Sequence, residues 1–147
     1  MSPSNELLYV SLQLTALAEA TPVEKFLWRP EPGVRSTSEI YMHIVNANFG
    51  LLNVIGVDPP VDMSENMENT VTAKADVITW LKRSLDAVKT ALAAATPEEM
   101  KRKVENPEPG ATVFGIFLRI IIHANEHRGQ LVAYARMTGV APPPLQS

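Results

Sequence analysis

The sequence predicts an all-α fold, a four-helix bundle, and three observations lead to this prediction. Proline and glycine divide the chain into four long segments in which apolar residues recur at helical spacing. No segment alternates convincingly between apolar and polar residues, as a half-buried strand would. The length of 147 residues fits one compact domain, so we expect a single bundle over residues 1–147.

The first two helices are indicated by apolar spacing and by their boundaries. The first ends at a Thr-Pro pair, residues 21–22, and the second covers about residues 38–55. Before the second helix, Ser36 and Glu39 have the spacing of a capping box, in which each side chain satisfies a free backbone N–H. The predicted core stripes are Leu7, Val10, Leu14 and Leu17, and then Ile40, Ile44, Ala47, Leu51 and Ile55.

The third and fourth helices follow from the same kind of pattern. The third, about residues 70–95, is expected to be the longest and has the a/d spacing of nearly parallel packed helices. The fourth, about residues 112–138, stops at Gly139, with three prolines beyond. Their predicted core positions are Ile78, Leu81, Leu85, Val88 and Leu92, and then Val113, Ile116, Ile120, Leu131 and Tyr134.

A weak internal repeat suggests two related halves. Residues 20–24 (ATPVE) are echoed by residues 95–99 (ATPEE), and the PEPG string at 30–33 recurs at 107–110. Each half then contains a helix, a Thr-Pro turn, a PEPG loop and a second helix, which predicts two helical hairpins with long connections. The alternative is chance recurrence, because Thr-Pro and Pro-Gly are common turn sequences.

Composition and charge exclude several classes of function. The chain has no cysteine, which removes disulfides, thiolate metal sites and a nucleophilic thiol of its own. The formal net charge is −3, and the basic residues are scattered, so nucleic-acid binding is not expected. The apolar runs are too short to span a membrane, and the N-terminus has no secretory signal pattern. We therefore expect a cytoplasmic protein.

The three histidines carry the strongest chemical signal. His123 and His127 lie one helical turn apart on one face, and His43 lies on the second helix between Ile40 and Ala47. All three fall on predicted core faces, where each unpaired ring nitrogen would cost on the order of 1–3 kcal/mol. A divalent metal would relieve that cost, with Zn²⁺ the default and Ni²⁺ a rival. The alternative is that the rings are packed core groups bonded to backbone.

Glu126 completes an HxxEH string with the same pair of histidines. In inverted zinc peptidases a glutamate at this position is the general base. Those enzymes also need an acidic ligand downstream, and no Asp or Glu follows His127. Glu126 is therefore a candidate base or hydrogen-bond acceptor near the site, and its alternative is a solvated carboxylate on the helix surface.

Several strings together resemble one known family. They are residues 27–36 (LWRPEPGVRS), 39–44 (EIYMHI), 123–130 (HANEHRGQ), 131–136 and 139–143. Over nearly the whole chain they resemble the DinB/YfiT-like superfamily. This resemblance implies a bundle that is commonly a homodimer and holds a divalent metal at His43, His123 and His127. Its members include metal-dependent hydrolases and transferases or isomerases that use a low-molecular-weight thiol.

The resemblance leads to an expected function. A three-histidine site would activate a thiol or water nucleophile for attack on a small-molecule substrate. Arg128 is a candidate to bind an anionic group of the thiol cofactor. Some relatives carry an acidic residue at about the position of Asn48, and an amide there favours thiol transfer over hydrolysis. Trp28 and Tyr134 are candidates to line the pocket or to anchor loops. The alternative function is a non-catalytic bundle that binds metal or a small ligand, with a role in stress.

Overall fold

The computed structural model of the chain describes residues 2–105 and 109–144. Within these ranges the chain forms six α-helices and no β-strand, apart from one isolated bridge between Lys103 and Thr112. The helices are α1 Pro3–Ala20, α2 Thr37–Val54, α3 Met67–Thr70, α4 Lys74–Ala94, α5 Pro97–Lys101 and α6 Val113–Met137. A 3₁₀ turn, Val23–Lys25, follows α1. The predicted all-α class is confirmed.

The four long helices, α1, α2, α4 and α6, pack around one core. In the described part of the chain, α2 packs against α4 and α6, and α1 packs against the same two helices. The long connections are as expected, but α1 and α2 lie diagonally across the bundle, as do α4 and α6. The expected pairing into two hairpins of adjacent helices is therefore wrong. The connections at residues 21–36 and 95–112 are long enough to cross an end of the bundle.

The helix boundaries agree with the predicted ones except in the third segment. There α4 begins at Lys74, and residues 67–70 form the separate helix α3. Between them, Val71 and Ala73 have extended backbone, and the buried Met67 fixes α3 against the core. The β-branched pair at residues 71–72 favours extended backbone over helix. The longest helix is α6, with 25 residues, not the third segment.

Most predicted core positions are buried, but the stripe on α2 differs in its second half. The four predicted residues of α1 are all buried. On α2, Ala47, Leu51 and Ile55 are only half-buried, and the core contains Val45, Asn48, Phe49 and Leu52 instead. Because α2 contacts both α4 and α6, its buried surface is wider than a single predicted stripe.

The loops before α2 and α6 share a glycine with positive φ and a hydroxyl side chain that caps the following helix, which favours the internal repeat. Gly33 and Gly110 both have positive φ, 84° and 81°, a conformation that glycine adopts without steric cost. Ser36 and Thr112 cap the two helices, and Ser36 forms the predicted capping box with Glu39. Positions 107–108 of the second PEPG string lie outside the described residues.

No helix in the described ranges combines the length and the apolar character that crossing a bilayer requires.

Candidate metal centre

The contact between α2 and α6 brings the three histidines together. His123 Nε2 lies 3.1 Å from His43 Nε2 and 3.2 Å from His127 Nε2. The three ring centroids are 4.5–4.9 Å apart. Each ring is half-buried, and one nitrogen from each lies within 4.8 Å of the others. The structure thus places on neighbouring helices the three residues that the sequence selected.

Two of the histidines have a polar partner on their other ring nitrogen. A carboxylate oxygen of Glu68 lies 3.4 Å from His43 Nδ1. The side-chain oxygen of Gln130 lies 2.9 Å from His127 Nδ1. These contacts are the ones that commonly orient metal-binding imidazoles in proteins. Sequence reasoning missed both residues as parts of the site.

Those partners favour one tautomer for each of the two rings. A carboxylate only accepts, so the 3.4 Å contact with Glu68 favours the tautomer of His43 that carries its proton on Nδ1. Gln130 donates through Nε2 to the Tyr134 hydroxyl at 3.4 Å, which leaves its oxygen to accept from His127 Nδ1. The Nε2 atoms of His43 and His127 therefore both present lone pairs toward His123. Among the described residues, the buried Nδ1 of His123 has no hydrogen-bond partner.

The surroundings lower the pKa values of two of the imidazoles, His43 and His123. Burial is the main cause that lowers the pKa of His123 to about 4, and the neighbouring His127 and His43 lower it further. Burial also lowers the pKa of His43, with a smaller contribution from the charge of Arg35. A neutral ring is the form in which histidine binds a metal. The rings of His43 and His123 are thus favoured in the form that binds a metal.

The predicted catalytic and cofactor-binding residues lie outside this cluster. Glu126 is exposed on α6 and is not one of the residues whose ligand atoms lie within 4.8 Å of one another. Arg128 donates to the side chain of Asn125 at 3.3 Å. It lines a cavity of about 260 Å³ between α1, α6 and the residues that follow α6, and the histidines do not line this cavity.

Three further residues singled out in the sequence have structural contacts. Asn48 is fully buried between α2 and α4, where its amide donates to Ser84 at 3.1 Å. Five positions after His43, it faces a different side of α2. Trp28 packs edge-on against Tyr134, with ring centroids 5.2 Å apart. The Tyr134 hydroxyl donates to the backbone carbonyl of Arg35, so this pair anchors the loop before α2.

Comparison with known families decides what this bundle is. The model of the DinB superfamily matches residues 12–131, a range that contains all three histidines, Glu68 and Gln130. The chain belongs to the DinB superfamily. No curated protein matches this DinB superfamily member significantly in sequence.

Solved structures give the same fold. A DinB-like protein from Bacillus cereus superposes with a TM-score of 0.81 at 19% identity, covering 95% of this chain and 92% of that one. A DinB-like protein from Bacillus subtilis gives 0.75 at 18% identity, covering 97% and 96%. A conserved protein from Enterococcus faecalis gives 0.70 at 16% identity, covering 92% and 94%. At these identities the likeness shows the DinB fold alone.

Proposed function

We propose that this protein binds one divalent metal ion through His43, His123 and His127 and uses it to activate a nucleophile. The observation that carries the proposal is the convergence of three Nε2 atoms with separations of 3.1 and 3.2 Å along two edges. A tetrahedral zinc site with bonds of about 2.0–2.1 Å has ligand–ligand edges of about 3.3 Å. The protein therefore has nearly the ligand spacing that such an ion requires.

The donor chemistry also fits a cation better than a hydrogen-bonded cluster. His43 and His127 both direct lone pairs toward His123 when their Nδ1–H groups face the acceptor oxygens of Glu68 and Gln130. A single proton on His123 Nε2 can satisfy only one of those lone pairs. A cation accepts all three nitrogens. Nitrogen donors alone suit Zn²⁺ and Ni²⁺, the two metals we propose.

The bound ion would act as a Lewis acid that lowers the pKa of a thiol or water in one of its open positions. The residues of the chain hold the rings and set the charge around them. Arg35 and Arg119 lie near enough to His123 to lower its pKa through their positive charge.

A thiol is the nucleophile that the surroundings favour. Glu68 is held by Arg35 and His43, and Glu126 lies outside the cluster, so within the described residues neither carboxylate is free to take a proton from water. A thiol has a pKa of about 8.5 and releases its proton far more easily than water. Since the chain has no cysteine, the nucleophile would come from a separate low-molecular-weight thiol. The proposed activity is thiol transfer to a small electrophile, with hydrolysis as the second candidate.

Metal content tests the binding part of the proposal. Protein purified without added metal is expected to contain close to one Zn²⁺ or Ni²⁺ per chain by elemental analysis. His123→Ala is expected to lose most of that metal, because two imidazoles bind much more weakly than three. Glu126→Gln is the matched control, one exposed substitution on the same helix, and should retain it. Metal-free wild-type protein, with unchanged uptake in His123→Ala, would contradict the proposal.

A comparison of substrates tests the catalytic part. With a panel of electrophiles and esters, turnover is expected only when a low-molecular-weight thiol is present, and it should be lost in His43→Ala. Ester turnover without thiol that still depends on His43 would instead support hydrolysis. No turnover of either kind by metal-loaded protein would support the alternative of a non-catalytic metal-binding bundle.

A further inference from the structure

The carboxylate of Glu68 links Arg35 to His43 at the edge of the histidine cluster. Glu68, on α3, accepts a hydrogen bond from the guanidinium of Arg35, which lies in the connection between α1 and α2. Its second oxygen lies 3.4 Å from His43 Nδ1. The side chain of Glu68 is 22% exposed and that of Arg35 is 42% exposed. The two oxygens of Glu68 thus have different partners, and this arrangement fixes the orientation of the carboxylate.

Arg35 also terminates the polar chain that starts at His127. The chain runs from His127 Nδ1 through the side chain of Gln130 to the Tyr134 hydroxyl. That hydroxyl donates to the backbone carbonyl of Arg35 at 2.8 Å. Contacts from histidines on two different helices therefore end on the same residue, one through its side chain and one through its backbone.

We propose that Arg35 is a positioning residue that holds Glu68 beside His43 and so determines the tautomer and ring direction of His43. The inference rests on the proposed metal centre and adds residues that act on it without touching the ion. Without Arg35, the partly exposed carboxylate of Glu68 can rotate toward solvent, and His43 loses the acceptor that keeps its proton on Nδ1. The lone pair on Nε2 is then no longer fixed toward His123.

The competing explanation is that Arg35 and Glu68 only link two surface connections. A surface ion pair of that kind contributes little to stability and leaves a neighbouring histidine unchanged. A matched pair exists elsewhere in the chain. Asp62 and Arg83 form a two-bond ion pair, at 2.9 Å for each bond, between the connection after α2 and helix α4. Within the part of the chain that the structure describes, neither Asp62 nor Arg83 contacts a histidine.

The first measurement is made on metal-free protein at mildly alkaline pH. Nitrogen-15 shifts of the imidazoles report which ring nitrogen carries the proton. In the wild type, His43 should be the Nδ1-protonated tautomer. Glu68→Gln should produce a mixture, because a glutamine can either accept from or donate to Nδ1. Arg35→Met should shift the population in the same direction, and Asp62→Asn should leave it unchanged.

The second measurement is Zn²⁺ affinity by competition with a coloured chelator. Loss of an outer partner of a metal-binding histidine typically weakens affinity by roughly 10–100-fold, and Glu68→Gln should fall in that range. Arg35→Met should lose less. The double variant should bind no more weakly than Glu68→Gln alone, because Arg35 acts through Glu68. Arg35→Gln, which also removes the charge but keeps a polar side chain, serves in place of Arg35→Met if that variant does not fold.

Two results would overturn the inference. One is a wild-type tautomer population and affinity in Glu68→Gln. The other is fully additive losses in the double variant. If the wild-type chain takes up no Zn²⁺, the proposed function fails, and the tautomer measurement on metal-free protein still decides whether Arg35 acts through Glu68.

Discussion

At the scale of single residues, the centre depends on which nitrogen of each imidazole carries a proton. The side-chain oxygens of Glu68 and Gln130 face Nδ1 of His43 and His127 and favour a proton there, which leaves two Nε2 lone pairs facing His123. The buried Nδ1 of His123 has no hydrogen-bond partner in the described part of the chain. A metal ion bound by the three Nε2 atoms would accept the lone pairs that face one another there.

The histidines could be predicted as a group because each lies on an apolar helical face, a pattern that local spacing reveals. Gln130 had a weak local signal, since it is three residues after His127 on the same helix. Glu68 had none. Its contact with His43 depends on where the short helix α3 packs, and no periodicity within the chain specifies that position.

Glu39 provides a residue-level prediction about pH. The hydrogen bond that Glu39 accepts from Arg29 is the main cause that lowers the pKa of its carboxyl group. The same carboxyl group closes the capping box of α2. A lowered folded-state pKa contributes stability above the unfolded value of about 4.3 and loses it as pH falls through the folded value. Glu39→Gln keeps the capping box but loses the ion pair with Arg29, so it should cost roughly 0.2–1 kcal/mol of unfolding free energy at neutral pH and almost nothing at strongly acidic pH.

Denaturant unfolding at a series of pH values measures that difference. Glu24→Gln, an exposed carboxylate in the 3₁₀ turn, is the control and should change stability little at any pH. A Glu39→Gln effect that is the same at neutral and acidic pH would show that the charge of Glu39 does not stabilise the helix start.

Among the elements, the four long helices could be predicted from the sequence because local chemistry marks most of their boundaries. Two helices begin at the expected capping residues, Ser36 and Thr112. Two end at the expected places, before Thr21 and before Gly139. The segment between α2 and α4 was harder. Apolar residues recur at helical spacing through this segment. Met67 is nevertheless buried in a short helix of its own, α3, which ends where Val71 has extended backbone. Helical periodicity alone cannot show where tertiary packing interrupts a helix.

At the scale of the whole molecule, the order of the helices around the core decides which faces meet. Because α2 packs against α6, His43 meets the HxxxH pair of α6. Adjacent hairpins, as the repeat suggested, would have placed α2 beside α1 instead. Long connections make this diagonal arrangement accessible, and the sequence contains no local signal that distinguishes it from hairpins.

The expected homodimer is a prediction at this scale. We propose that two copies pack through α1 and α6, which lie against each other and expose apolar side chains. These side chains are Leu8, Leu12, Phe114, Leu118 and Ile122, exposed by 37–54%. Burying such a surface in a partner is favourable. Light scattering should give twice the chain mass of 16.1 kDa, and the double variant Leu12→Glu/Ile122→Glu should give the single mass.

Val61→Glu is the control for the dimer, because Val61 is fully exposed in the connection after α2. It should leave the measured mass unchanged. A wild-type chain that remains at the single mass over a wide range of concentration would contradict the proposed dimer.

X-ray absorption at the metal edge of zinc-loaded protein measures the ligands of the proposed three-histidine metal centre directly. We expect three imidazole ligands with zinc–nitrogen distances of about 2.0–2.1 Å and at least one further light-atom ligand. His43→Ala should reduce the imidazole count by one. A wild-type spectrum with one imidazole or none, or a spectrum that His43→Ala leaves unchanged, would contradict the proposed centre.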